Sequence, residues 1–310
     1  MNPTTSQPAH RITLPDATGP SPAQTGQLPV SVIVAARNEE KNLPRCLEAL
    51  RCVGEVYVVD SQSSDSTPEI ARSYGAKFVQ FHYQGGWPKK RQWAMENLPL
   101  EFDWVLLVDA DEALTPELAN EIQRAIQTSD CNGYYISLRM YFLGKVLRHG
   151  DANFWKLALF RKGKGRYECR LKDQDASMAD MEVHEHVVVD GPTSLLKNPL
   201  IHHNVESLSR YIQKHDEYSN WESRVLLQGE LNQAEAPAVG AQARRRRWLK
   251  KKLYALPGSP VLLFFYRYFL RLGFLDGVPG LIYCSFQAIQ MFHTKAKIYE
   301  LKRQEDLQRN

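Results

Sequence analysis

Two carboxylates one residue apart, Asp109 and Asp111, close the apolar run 104–108, with Glu112 directly behind them. A short apolar run ending in acids reads as a buried strand that delivers carboxylates to its carboxyl end. In open α/β sheets ligands bind in the crevice outside those ends. Two hard oxygen donors there suit Mg²⁺ or Mn²⁺, and a divalent ion suits a diphosphate. Acids also end strands simply to face water, so the neighbouring elements must decide between the two readings.

Those elements alternate. Residues 30–36 form an apolar strand, Arg37-Asn38-Glu39-Glu40 a polar turn, and Asn42 a cap for a helix with Pro44 in its first turn, running to about residue 53. A second strand is expected at 55–60, a Ser-rich loop at 61–67 and a helix at 68–74 closed by Gly75. A third strand at 76–81 and a helix at 89–97 lead to the acid-bearing strand. Strands and helices alternating at this interval mean βαβ units, a parallel sheet and right-handed crossovers. Three strand ends then share one edge: Ala36-Arg37-Asn38-Glu39, Asp60-Ser61 and Asp109-Ala110-Asp111. No Gly-x-x-x-x-Gly-Lys-Ser/Thr loop is present, which argues against an ATPase. No Gly-x-Gly-x-x-Gly follows the first strand, which argues against a dinucleotide oxidoreductase. The Ser-rich loop suits a ribose or base, or else is a capped turn.

Past Asp111 the pattern weakens. A helix is expected from Thr115 to about Thr128, strands near 133–140, 155–161 and 184–189, and a helix from Ser207 to about Gln228. The polar stretch 162–182 lacks periodicity and reads as a mobile loop. The chain divides into a disordered leader (1–28), a catalytic domain (29–228), a linker (229–243) and a basic, amphipathic tail (244–310). The leader has no apolar core of a signal peptide, which keeps the catalytic part in the cytosol.

The 310 residues are 43% hydrophobic and 24% charged with net charge +4, an ordinary globular composition. Five cysteines without Cys-x-x-Cys spacing fit reduced thiols better than disulfides or a zinc site. The excess of cations is local: Arg244 to Arg247 and Lys250 to Lys252 directly precede the aromatic and aliphatic stretch 260–286. Arg267, Arg271 and Asp276 interrupt that stretch, so it falls short of the ~20 apolar residues of a spanning helix. Two amphipathic helices lying in an anionic membrane interface are expected; a helical hairpin packed on the main domain is the competing reading.

Taken in order, residues 32–39, 58–67 and 107–112 resemble the first strand and turn, the Asp-Ser-x-Ser-x-Asp loop and the metal motif of inverting family 2 glycosyltransferases. Gln62 stands where that family usually has Gly. The resemblance implies an α/β GT-A fold, a Rossmann-like, mostly parallel sheet flanked by helices. It implies a nucleotide-sugar donor bound by Ala36, Arg37, Asn38, Glu39, Asp60, Ser61, Arg91, Asp109, Ala110 and Asp111, with Asp60 at the nucleobase and Arg91 at the diphosphate. It also implies Mg²⁺ or Mn²⁺ on Asp111 and Asp109, with His184 or His186 as a further ligand. Leu159-Phe160-Arg161, Val183-His184-Glu185 and His202 resemble the bacterial lipopolysaccharide-core and exopolysaccharide glucosyltransferase-like subgroup. An inverting transfer needs a carboxylate base, and Glu185 is the candidate, with Asp151, Asp173, Asp175 and Asp180 behind it.

The expected activity is therefore hexose transfer, from UDP-glucose or a similar donor, to a lipid-attached glycan at the cytoplasmic face of a bacterial inner membrane. A polyprenyl-phosphate acceptor is a close variant. A nucleotidyltransferase would use similar paired acids, and a non-catalytic nucleotide- or polyanion-binding protein would use the basic run. The apolar neighbours of that run favour lipid over nucleic acid. The sequence sets no oligomeric state.

Overall fold

The computed structural model describes residues 27–83, 85–128, 130–169, 180, 185–203, 207–228, 252, 254 and 256–309. The near-continuous apolar runs build the centre of the sheet, where strands are covered on both faces. β1 (Leu28–Ala36) lies between β2 (Val53–Asp60) and β4 (Trp104–Asp109), and β3 (Lys77–Gln80) extends the sheet beyond β2; all run parallel. The chain builds outward from β1 to β3, then returns to the other side of β1 for β4. The strand order reverses there, which is where the ligand crevice of such a sheet opens. Register aligns Ala36 with Asp60 and Ala35 with Asp109, so the strand-end motifs are neighbours on one edge, as the sequence pattern implies.

Helices α1 (Leu43–Ala49) and α2 (Thr67–Ser73) connect the parallel strands on one face, and α3 (Lys90–Asn97) packs Trp93 and Ala94 into the core of the other. Two expectations need correction. The first helix ends at Ala49 rather than near 53, because Val53 already opens β2. Asn42 occupies the N-cap position without capping; its carboxamide donates to Glu39 and accepts from Arg45.

After Asp111 the sheet becomes mixed, with antiparallel pairs beside parallel ones. β5 (Glu112–Leu114) leads into α4 (Pro116–Thr128), then β6 (Gly133–Phe142), the short β7 (Lys145–Val146) and β8 (Phe154–Arg161). β8 pairs antiparallel with both β4 and β6. The stretch expected to be irregular after 162 contributes β9 (Gly165–Tyr167), which pairs with β10 (Val187–Val189). β11 (Thr193–Leu195) and β12 (Leu200–His203) return to β6, and β12 also takes β5 as an antiparallel partner.

α5 (Leu208–Gln228) is followed, beyond the undescribed linker and basic run, by α6 (Ser259–Phe265), a π-helical turn (Tyr266–Leu270), a 3₁₀ turn (Gly273–Asp276) and α7 (Gly277–Arg309). The tail is thus one long helix preceded by short helical pieces rather than two helices. α7 packs along α5, and Tyr283 and Cys284 share a core with Met140, Phe142 and Tyr211. Among the described residues no helix is long and apolar enough to cross a membrane.

At the amino-terminal edge, opposite the crevice, buried Glu55 accepts from Ser31, from Lys77 Nζ at 2.8 Å and from the Glu101 N–H at 3.0 Å. Glu55→Ala leaves three donors without this acceptor and should cost about 1–3 kcal/mol of stability. Urea unfolding should show it as a lower midpoint, with nucleotide affinity unchanged because the crevice lies at the far end of the strands.

Candidate active site

The first two strand-end loops are sewn together by side chains. The Asn38 backbone N–H donates to Ser63 Oγ at 2.7 Å, and its carboxamide oxygen accepts from the Ser64 N–H at 2.8 Å. The Glu39 N–H donates to Thr67 Oγ1 and the Glu40 N–H to Asp65. Asp60 is fully buried and accepts from the Ser63 N–H, the Ser63 hydroxyl and Gln80 Nε2. Its carboxylate therefore shapes the loop from within. Ser61 is held against β1 by its N–H on the Ala36 carbonyl. Gln62 has φ 54°, the left-handed region that glycine enters without cost, which accounts for Gly at this position in the family it resembles.

Three consecutive cations open α3. Lys89, Lys90 and Arg91 are all buried, and each meets a different acid. Lys89 pairs with Glu185 at 3.3 Å and lies over the Trp221 ring. Lys90 pairs with Asp180 at 3.1 Å and donates to the Ala36 carbonyl at 2.6 Å. Arg91 binds Asp109 Oδ1. The candidate base Glu185 is thus 4% exposed, and neither of its oxygens has a hydrogen-bond partner among the described residues.

The acids after β4 form the second half of the site. Glu112 takes both oxygens to Lys156 Nζ at 2.6 Å and also accepts the Asp109 N–H at 2.9 Å. Asp111 sits 3.3 Å from His202 Nε2 and 3.8 Å from Lys214 Nζ, which donates to Glu39 at 2.8 Å. Register explains the arrival of His202, because β12 lays it opposite Glu112 on β5. Burial alone would raise the Asp111 carboxyl, but His202 and Lys214 outweigh it and hold it far below the usual carboxylate range. Burial would lower His202, yet the facing acids raise it, Asp111 foremost. Burial, opposed by Lys214 but reinforced by Asp111 and Asp109, pushes the nearby Tyr218 phenol up to about 12.

The structure brings Asp109, Ala110, Asp111, Arg91, Asp60, Ser61 and the 36–39 turn to one edge, as the sequence pattern expects. His184 lies outside the described residues, as do Asp173 and Asp175, and His186 is exposed on the β9–β10 ribbon. Asp151 is tied instead to Arg271 of the tail. The imidazole that meets the acids is His202. Lys156, Tyr218 and Trp221 escape a sequence reading; the helical spacing of 214, 218 and 221 is the one signal of the last two. Among the described residues no three His, Cys, Asp or Glu side chains converge as a closed metal site. Asp109 and Asp111 bring hard oxygen donors of the kind that suit a divalent cation, and in this structure Arg91, Lys156, Lys214 and His202 meet their charges instead. A dication and a diphosphate, being opposite in charge, can enter this balance together.

Two outcomes test this geometry. Gln62→Gly should keep or raise stability by up to about 1 kcal/mol, whereas Gln62→Val should lower it by a similar amount or more, read by thermal unfolding. In chelator-treated protein, the raised His202 contributes stability fully below its ordinary value of 6.5, and this is lost as pH rises through the folded value. His202→Gln should flatten that decline above pH 6.5.

The profile of Glycosyl transferase family 2 matches residues 31–185. The lipopolysaccharide core biosynthesis glycosyltransferase LpsC of Rhizobium meliloti is 27% identical over 281 residues, covering 88% of this chain and 93% of its own. A glycosyltransferase of Rickettsia conorii, RC0292, is 26% identical over 278 residues, with 87% and 90% covered. Among solved structures, S. aureus TarS matches with a TM-score of 0.44 and 18% identity, over 84% of this chain and 49% of that one.

Proposed function

The chain belongs to glycosyl transferase family 2, and from that premise we propose that it transfers a hexose, with inversion, from a nucleotide sugar to a lipid-attached glycan. The observation that carries the reading is the convergence of Asp109, Asp111, Arg91, Lys156, Lys214 and His202 at the point where the strand order reverses. A homologue in lipopolysaccharide core biosynthesis supports the choice of acceptor class. UDP-linked glucose is the first donor to test. Exopolysaccharide and polyprenyl-phosphate acceptors are the variants of the acceptor, and the cytoplasmic face of the inner membrane is where such an acceptor meets a nucleotide sugar.

In this reading the turn Ala36–Glu39 flanks the nucleotide, and Asp60 and Ser61 set the loop that receives the base. Asp111, with Asp109 and His202 beside it, would hold Mg²⁺ or Mn²⁺, and such an ion would supply charge neutralisation at the leaving diphosphate. Arg91, released from Asp109, reaches the same diphosphate. Glu185 accepts the proton of the acceptor hydroxyl as its oxygen bonds to the anomeric carbon, on the face opposite the breaking bond to diphosphate. Lys89, 3.3 Å from Glu185, holds its carboxylate in place.

A screen for UDP, GDP or dTDP release, with and without Mg²⁺ or Mn²⁺, should find one donor consumed only with metal. Asp111→Asn should lower that rate about 10²–10³-fold. Glu185→Gln should abolish transfer and leave donor affinity intact; near wild-type turnover would remove Glu185 from the mechanism. Absence of release from every donor under every metal would sink the transferase reading.

A further inference from the structure

Between residues 256 and 281 the tail forms an elbow of short helical pieces whose large apolar side chains face outward. Leu262, Phe265, Phe269, Leu270, Leu275 and Val278 are all exposed, Leu270 at 76% and Val278 at 68%. An exposed apolar patch of this kind marks an interaction surface. The elbow is nevertheless rigidly held from behind. Lys295 of α7 donates to the Tyr254 and Leu256 carbonyls and to Ser259 Oγ. Its outward face is therefore not a strand of loose chain.

The same elbow grips the loop 147–153 between β7 and β8. Asp276 Oδ2 accepts the backbone N–H groups of Arg148 and His149 at 2.9 and 2.8 Å, and its Oδ1 faces His149 Nδ1 at 3.2 Å. Arg267 donates to the Gly150 and Asp151 carbonyls, Arg271 Nε to Asp151, and the Gly150 N–H to the Arg271 carbonyl. Gly150 has φ 67°, and a Cβ there would stand 3.0 Å from Cys284 Sγ, so the close approach requires glycine. Three residues beyond the loop, on β8, Lys156 pairs with Glu112 and Asp109. The loop thus forms the rim of the site on the side of β8, outside the carboxyl edge.

We propose that residues 256–281 dock on an anionic lipid bilayer and that Asp276 and Arg267, as positioning residues, hang the rim loop 147–151 from the docked surface. The partner follows from charge and composition. The patch mixes Phe, Tyr and Leu with the exposed cations Arg271 and Lys252, and in sequence it directly follows a run of seven Arg and Lys within residues 244–252. That composition complements apolar acyl chains beneath anionic headgroups. A second copy of the chain would set cations against cations. The proposal rests on the transferase reading only for its purpose, that the rim meets a lipid-linked acceptor at the depth where docking places it.

The test uses the full chain with vesicles of phosphatidylcholine alone or mixed with phosphatidylglycerol, read by flotation and by amide hydrogen exchange. The wild type should bind the anionic vesicles and exchange the amides of 148–150 more slowly when bound. Leu270→Glu with Val278→Glu, at exposed positions, should weaken vesicle binding roughly tenfold or more and leave donor consumption unchanged. Asp276→Asn should still bind vesicles but lose the slowing at 148–150. Unaltered binding by the double variant, or a dimer that the double variant dissociates, would overturn the docking. Exchange at 148–150 that vesicles do not change would overturn the coupling. Vesicle binding and amide exchange need neither donor nor acceptor, so they stand or fall apart from the transferase reading.

Discussion

The carboxylate of Asp111 is the constraint on which the rest of the structure depends. It is buried at a strand end with Asp109 and Glu112 beside it, and buried like charges cannot persist without partners. Each partner comes from a different part of the chain. His202 arrives on β12, Lys214 on α5, Lys156 on β8 and Arg91 on α3. The mixed half of the sheet is what carries two of these cationic groups back to the edge set by the parallel half. Removing any one partner leaves an uncompensated charge where water cannot repair it. The fold and the electrostatics of the site are therefore one problem with one solution.

α5 shows how the tail enters that solution. Lys214, Tyr218 and Trp221 recur at helical spacing and face the site, while Tyr211, His215 and Glu222 lie on the side that meets α7. His215 bonds Gln290, Tyr211 accepts from Gln287, and Glu222 accepts from Thr294. α7 thus fixes the angle at which α5 offers Lys214 to Asp111. The tail shares a core with the catalytic unit, and only the elbow turns away from it. α7 packs on the domain as one helix of the hairpin reading would, while the elbow exposes its apolar side chains.

The parallel half of the fold was legible because its strands are buried on both faces, so they read as unbroken apolar runs between turn signals. Its strand-end motifs were legible because register follows from the alternation itself. The other half was harder for physical reasons. β5 has three residues and β12 four, too short for periodicity to distinguish. The meeting of His202 with Asp111 depends on a pairing across about ninety residues, which no local signal encodes. Asn42 looked like a cap, but a stronger local acceptor, the Glu39 carboxylate, takes its side chain. Lys89-Lys90-Arg91 has the appearance of a solvated charge run, yet all three are buried, because acids from distant segments meet them.

That last arrangement runs against helix electrostatics. The first turn of a helix is already positive, and cations there are disfavoured where acids are welcome. α3 nonetheless begins with three of them, and what makes this tolerable is Glu185, Asp180 and Asp109, one for each. An anion entering beside this turn meets a helix end whose intrinsic preference is for negative charge and whose cations are each paired with an acid. Arg91 could pass from Asp109 to a phosphate at the moment Asp109 passes from Arg91 to a cation, with no net charge buried or exposed. Such an exchange avoids most of the desolvation cost that an empty, unpaired site would incur in waiting. In the proposed transfer, these internal ion pairs hold the groups in place before any substrate arrives, which is the preorganisation such chemistry requires.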